Sequence, residues 1–587
     1  AAVSEVNVTP STPEVAAAPT INAPTVTAPA TPAGFTPAVI PLPKPPKDPD
    51  KPDISVFNPI DLAFNGTGFG QGSSSGVPKG NTIIENFGDY VTGNGGADTL
   101  KISSDGTGTK WSGTNLVASG QSPSGGLGNA TLTPGSTGTN LAAFFSDAAN
   151  HSVTIRGNYD MTRPTDTGEG TIMFSSLNPY YVADSDKVDD FQGNLTLHGH
   201  NNPSSNNLLL GFEHQLLTYV KSNTTNGTSI FKNSGNITLQ DGYNIVGIQI
   251  DTEYSSDSQE FIKQPQTIND GTITINSQNS IGIDYGKYYN ASPNTKLTVG
   301  DINVNGKNNY GFRMKNIGQD TYYDDVTISG GGSNKTITVA GKHNVGLAIG
   351  KSLSANPQPY TEAGNLNHGT LNKDNPISNF HGVNVNVMGE ETVGFLRLAD
   401  SYTGNTKDFV LTDGTGKGDT HATMGTFTFG NGAKKSTLIR TDKYGIQVRG
   451  NITAVGKNDT GVGNTVLHSN GETQHINNYK TITIGKGFTQ TTGMAATGST
   501  NSTIVNILNE GTISLLGKKS IGMYVDKFTQ GKSTGTIKLS GVGDKDKSGN
   551  VGDAENVGIS NKGKFTFSGT LEVNGKKSSG IYNTGET

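Results

Sequence analysis

The sequence predicts an all-β chain folded as a parallel β-helix solenoid, right-handed, with an extended Pro-rich N-terminal arm and a less regular cap. Three observations predict it: a strand unit that recurs to the last residue, an excess of glycine, and too few apolar residues for one large core. The unit is a short alternating strand such as Asp301-Ile302-Asn303-Val304, then Gly, then Asn or Ser, a hydrophobic residue, Gly and a second strand, as in Asn308-Asn309-Tyr310-Gly311-Phe312-Arg313-Met314. Its second-strand glycines are expected at Gly211, Gly247, Gly282, Gly311, Gly346, Gly394, Gly445, Gly493, Gly522, Gly558 and Gly580, and the first five are spaced by 36, 35, 29 and 35 residues. Strands this short cannot bury an apolar face alone, so copies must stack and share a core. Period-2 alternation of β-branched residues makes the elements strands. One strand pair per coil is expected, rising about 4.8 Å per coil. The Gly and Asn between strands are expected to make the corner, because both tolerate the left-handed conformation.

In order along the chain, residues 1–54 are rich in Pro, Ala and Thr and close with Pro41-Leu42-Pro43-Lys44-Pro45-Pro46. Few backbone donors and a bias to polyproline II make this an extended arm. Its Ile21, Val26, Phe35, Val39 and Ile40 would let it lie along the rod. Residues 55–194 are expected to form the cap and first irregular coils, since the first coil of a solenoid would otherwise expose its core. Strand candidates there are Ile83-Ile84, Leu100-Lys101-Ile102, Val153-Thr154-Ile155 and Ile172-Met173-Phe174, and the stretch from Leu141 to Ala149 is expected to be helical. Residues 195–587 read as the regular β-helix, with insertions at 251–268, 286–296, 315–334, 350–380, 399–437 and 543–555. Loops on a rigid scaffold are where recognition usually sits. The chain opens at Ala1 without a leader and stops inside a repeat, as expected of a processed fragment truncated at its C-terminus.

Composition narrows the function. There are 80 glycines in 587 residues, about twice the usual share of roughly 7%. The absence of Cys excludes a disulfide framework and a thiolate metal site, and fits export in an extended state. A formal net charge of −6 argues against nucleic-acid partners. No apolar run reaches the roughly 18 residues of a spanning helix.

Four stretches are candidate sites. Asp544-Lys545-Asp546-Lys547-Ser548-Gly549-Asn550-Val551-Gly552-Asp553-Ala554-Glu555 has the spacing of a calcium loop, with Asp544, Asp546, Ser548, Asn550 and Glu555 as oxygen ligands and Gly549 at the turn. Its flanks are strands, so calcium here would be structural; the alternative is a solvated acidic loop. Asp284, Tyr285, Tyr288 and Tyr289 in one insertion, and Asp320, Tyr322, Tyr323, Asp324 and Asp325 in the next, form a candidate ligand-binding patch. Tyrosine faces stack on sugars or cations and carboxylates accept from hydroxyls or guanidinium; the alternative is that the tyrosines cover the flank of the rod. Val91 to Leu100 has the form of one calcium-roll nonapeptide, and His198-Gly199-His200 could give two ligands on a strand, but a plain turn and ordinary loop histidines read better.

The Ala/Pro/Thr-rich start, Ala17 to Pro32 above all, followed by the ladder of Asn309-Tyr310-Gly311-Phe312, Ser280-Ile281-Gly282-Ile283 and Ser520-Ile521-Gly522-Met523, resembles the passenger of the large type V autotransporter adhesins of fusobacteria, the RadD-like family. The resemblance covers nearly the whole chain and implies a monomeric β-helical stalk on the bacterial cell surface. It would be anchored by a C-terminal translocator barrel outside this sequence, and would bind host-cell proteins, glycans or partner bacteria. It implies no catalysis. The competing class is a β-helical polysaccharide lyase or hydrolase, which needs carboxylates stacked on adjacent coils. The second residue after each repeat Gly reads Gln249, Asp284, Arg313, Ala348, which suggests a ladder ion pair instead of an acid/base couple. A protease is disfavoured because no Gly-Asp-Ser-Gly sequence occurs.

Overall fold

A computed structural model gives the fold. Its described residues are the strands between 82 and 178, and residues 187–201, 208–217, 229–253, 266–285, 296–314, 327–349, 380–397, 408–413, 424–442, 444–454, 460–541, 543 and 545–586. Among the described residues every ordered element is a strand, and every sheet ladder is parallel. The chain is a parallel β-helix. A coil such as Gln266–Asn269, Thr272–Ile275 and Ile281–Tyr285 contributes one strand to each of three sheets. The expected strand pair per coil is thus corrected to three strands: the first of them is a short polar stretch without the Ile/Val signal that marks the other two.

The first sheet has fifteen strands and runs from Thr82–Ile83 to Ser579–Asn583. At the usual strand spacing it spans about 65–70 Å. The second sheet ends at Phe427–Phe429 and the third at Phe380–His381, and new sheets begin at Phe409–Thr412 and Ile452–Ala454. The ladders also extend upstream of residue 195, through Ser152–Ile155, Asn158–Thr162 and Gly170–Asn178. Asn140–Ser146, expected to be helical, is a first-sheet strand pairing with Gly170–Asn178. Its apolar run has no helical period, and a neighbouring edge offered it a ladder.

Packing follows the pleat. In Thr272–Ile275 the isoleucines point inward and the threonines outward. Register stacks Ile237, Ile273, Ile302, Ile337, Val385 and Phe427 in one buried column. Each such side chain contributes roughly 1.5–3 kcal/mol by leaving water, set against the entropy of ordering the chain. Where the second and third sheets break, the core stays filled by aromatic rings: Phe395 lies 5.0 Å from Phe409 and 6.4 Å from Phe427.

Successive coils approach closely along the first sheet. A Cβ at Gly282 would lie 2.5 Å from the Gly311 carbonyl oxygen, and one at Gly311 2.6 Å from that of Gly346. This close approach, not a corner, is what the repeat glycine serves. Gly445 does not belong to the column: it opens a strand of another sheet, while Leu438 and Val466 take the column position in two coils that carry an extra short strand, Ala433–Lys434 and Gly461–Val462.

The corner lies just before this sheet, and among the described residues one left-handed residue marks it in each coil from Asn244 onward. The column is Asn244, Asn279, Asn308, His343, Glu391, Lys435, Gly463, Gln490, Lys519, Glu555 and Lys577, with φ between 48° and 71°. Asparagine fills it in the first three coils as its local preference predicts; elsewhere the ladder imposes the conformation on residues that would not choose it. The next residue in each coil is a second device. Asn309 Oδ1 accepts from the Ser280 backbone N–H at 2.8 Å, Asn344 Oδ1 from that of Asn309 at 2.9 Å, and Asn556 Oδ1 from that of Ser520 at 2.9 Å.

Candidate functional site

Five insertions leave the solenoid from one corner. Each follows a first-sheet strand (Ile245–Glu253, Ile281–Tyr285, Tyr310–Met314, Val345–Ile349 or Val393–Arg397) and returns at the first strand of the next coil. Their roots are in register: Tyr285 pairs with Met314, Met314 with Ile349 and Ile349 with Arg397. The insertions that carry the candidate tyrosines therefore start one strand spacing apart, about 4.8 Å. Tyr288, Tyr289, Asp320, Tyr322, Tyr323, Asp324 and Asp325 themselves lie outside the described residues.

Asp284 and Tyr285 do not join such a patch, and this corrects their expected role. Both are 4% exposed. Tyr285 points into the core, and Asp284 is held by Arg313 of the next coil. Arg313 Nε donates to Asp284 Oδ1 at 2.8 Å and Nη2 to Oδ2 at 2.7 Å, a two-pronged pair buried on both sides. The pair sits in the outward column of the first sheet, which reads Gln249, Asp284, Arg313, Ala348, Leu396, Arg440, His468, Ala495, Tyr524 and Ser560. Glu213 shares this column two coils before Asp284, with Gln249 between them, so among the described residues no two carboxylates are neighbours there.

In the calcium-like loop, Asp546, Ser548 and Asn550 come together around the Asp546 carboxylate. Oδ1 accepts from the backbone N–H groups of Ser548 at 2.9 Å and Asn550 at 2.8 Å, and Oδ2 accepts from Asn550 Nδ2 at 3.0 Å. The Asn550 contacts above all hold the Asp546 carboxyl below the usual carboxylate range. Asp544 lies outside the described residues. Glu555 belongs to the left-handed corner column and reaches Lys519 one coil away, at 3.6 Å. Among the described residues no group of three or more His, Asp or Glu converges as a metal site. His198 Nδ1 lies 3.0 Å from the Asp241 carboxylate and His200 is buried. The nonapeptide-like stretch before Thr99 lies outside the described residues.

A polar cluster that the sequence did not announce occupies the level where the sheets change. Arg397 points into the core at 1% exposure, donates through Nη1 to the Gly445 carbonyl and lies over the Tyr444 ring, 5.4 Å from its centre. Burial pushes its guanidinium down to about 10, against the opposing pull of Asp408 and Tyr444. Asp408 lies 2.7 Å from His475 Nε2 and accepts from Gln447 Nε2 at 2.7 Å. Burial pushes the Asp408 carboxyl up, but these hydrogen bonds and the His475 and Arg397 charges hold it below the usual range. The available signal was one inward column of the first sheet: Ile250, Tyr285, Met314 and Ile349 are followed in register by Arg397, a cation at a core position. No protein-family model, curated protein or solved structure matches this chain.

Proposed function

We propose that this chain is the passenger of a bacterial surface adhesin, a β-helical stalk that holds binding loops away from the cell. The observation that carries the reading is the common corner: successive insertions start from registered residues of one ladder. Weak polar and aromatic contacts from adjacent loops, multiplied over many copies on a cell, give avidity without a deep pocket. Asp284 is tied to Arg313 and has Gln249 instead of a carboxylate on its other side in the column, which favours binding over hydrolysis. Partners in this reading are host-cell proteins, glycans or other bacteria. Calcium in the 544–555 loop would act as a structural ion, adding to hydrogen bonds that Asp546 already makes.

The test is binding of the purified chain to host-cell surfaces, bacterial cells and immobilised glycans, with Tyr288 and Tyr289, or Tyr322 and Tyr323, replaced by Ala. Loss of binding in both double variants is expected. Full binding by both would move the contact surface away from these two loops, and no binding by the parent chain to any of the surfaces would overturn the adhesin reading.

A further inference from the structure

Two of the three sheets are interrupted at successive levels of the rod, one coil apart, while the first sheet runs through. Phe427–Phe429 and Ile452–Ala454 lie against each other without a ladder, and a side chain replaces the missing pairing: Thr428 Oγ1 donates to the Thr453 carbonyl at 3.1 Å. An interrupted ladder leaves strand edges facing outward. Along this corner a cleft of about 680 Å³ opens, lined by four successive coils through residues such as Ser333, His381, Thr426 and Thr453. That is the volume of a small-molecule or oligosaccharide site.

The wall is fixed in place. Asn384 Nδ2 donates to the Lys335 carbonyl at 2.9 Å, and its Oδ1 accepts from the Thr426 N–H at 2.8 Å, so one side chain ties the coil before to the coil after. Gly382 has φ 59°, and a Cβ there would meet nothing within 4 Å, which leaves the space in front of it open. The charge balance is close to neutral: Asp413 is the one carboxylate in the lining, and Lys480 lies 3.5 Å from it. Hydroxyls, amides and an imidazole, with Met424 as an apolar surface, match a ligand that alternates hydroxyl edges with C–H faces. An acidic polysaccharide would call for stacked Arg or Lys, which this lining lacks.

We propose that this cleft binds an uncharged oligosaccharide. The proposal rests on the adhesin reading only in supplying that reading with a ligand class. The experiment is calorimetric titration of the whole chain with short neutral oligosaccharides of glucose, mannose and N-acetylglucosamine, with an oligogalacturonate as the acidic control. Thr453→Trp and Ser333→Trp fill the cleft from exposed positions on different coils, and matching thermal unfolding checks that both fold. A neutral sugar is expected to bind the parent, and both variants are expected to weaken it about tenfold or more, equivalent to about 1.4 kcal/mol. Preference for the acidic control, equal binding by parent and folded variants, or no neutral-sugar binding would each overturn the cleft assignment. Cell adhesion measured alongside separates the two readings: adhesion retained with the cleft filled leaves the adhesin without this site, and sugar binding without adhesion leaves the site without the adhesin.

Discussion

The Asp284–Arg313 pair shows how a charge is tolerated inside this rod. Both side chains are almost fully removed from water, so each depends on the other. Asp284→Ala would leave the guanidinium buried without its carboxylate, at a cost of about 3–5 kcal/mol, whereas replacing both by apolar residues would recover most of it. Urea unfolding of the single and double variants checks this; equal stability of Asp284→Ala and parent would show that the pair carries little. His214 is the opposite case, a titratable group kept neutral. It is fully buried, its Nδ1 lies 2.8 Å from Thr267 Oγ1, and burial lowers it to about 3. Its folded value lies below the ordinary 6.5, so on acidification the unfolded chain takes up a proton that the folded chain refuses. Its contribution is therefore complete above pH 6.5 and falls as pH drops through the window from 6.5 to about 3. Thermal unfolding across that window should show a steeper acid loss for the parent than for His214→Leu, and parallel profiles would contradict it.

At the scale of the element, the corner beside the first sheet is held by side chains that replace the backbone ladder. Ser, Thr or Asn precedes the strand in coil after coil, and its oxygen takes a backbone N–H from the coil before, as Asn344 does for Asn309 and Ser436 for Thr392. Removing the acceptor leaves a buried N–H without its partner, so Asn344→Ala should cost about 1–3 kcal/mol and Asn344→Ser less. Hydrogen exchange of the Asn309 amide checks the mechanism: it should accelerate in Asn344→Ala, and unchanged protection would mean another group satisfies it. The same geometry explains why His343, Glu391 and Lys519 adopt the left-handed conformation. Flanking ladders over-determine the corner, and a local preference of about 1–2 kcal/mol does not prevail against them.

At the scale of the molecule, stability is a sum of coils and of the interfaces between neighbours. The two successive interfaces within residues 397–454 differ from the others, because one ladder stops at each of them and the core is bridged by Phe380, Phe395, Phe409 and Phe427. Fewer hydrogen bonds cross these levels, so the rod should open there first. Hydrogen exchange followed through a urea series is expected to show two cooperative blocks, one within residues 229–349 and one within 475–583. A single block covering both would mean that the first sheet and the aromatic bridge couple the halves fully. The proposed sugar cleft lies at the same levels, so a ligand there should draw the two blocks together.

The class of fold is legible in the repeat, because a strand too short to bury its own face has no other way to make a core. The sequence also located most of the repeat glycines, since Gly in a fixed place beside alternating Ile and Val is a local pattern, but the expected 399–437 insertion holds the strands Phe409–Thr412, Phe427–Phe429 and Ala433–Lys434. It suggested the Asp284–Arg313 pair, because a fixed repeat puts equivalent positions on one column. Contacts between coils set the rest. The third strand of each coil is set by pairing with neighbours, and so is the conversion of Asn140–Ser146 from an expected helix to a strand. The Gly445 assignment failed because Leu438 and Val466 hold the column where an extra strand changes the coil, which no local pattern records. The ion cluster at Arg397 and the cleft beside it arise where the second and third sheets stop. Their residues are tens of positions apart in sequence and meet only because the coils stack, which is why sequence spacing could not reveal them.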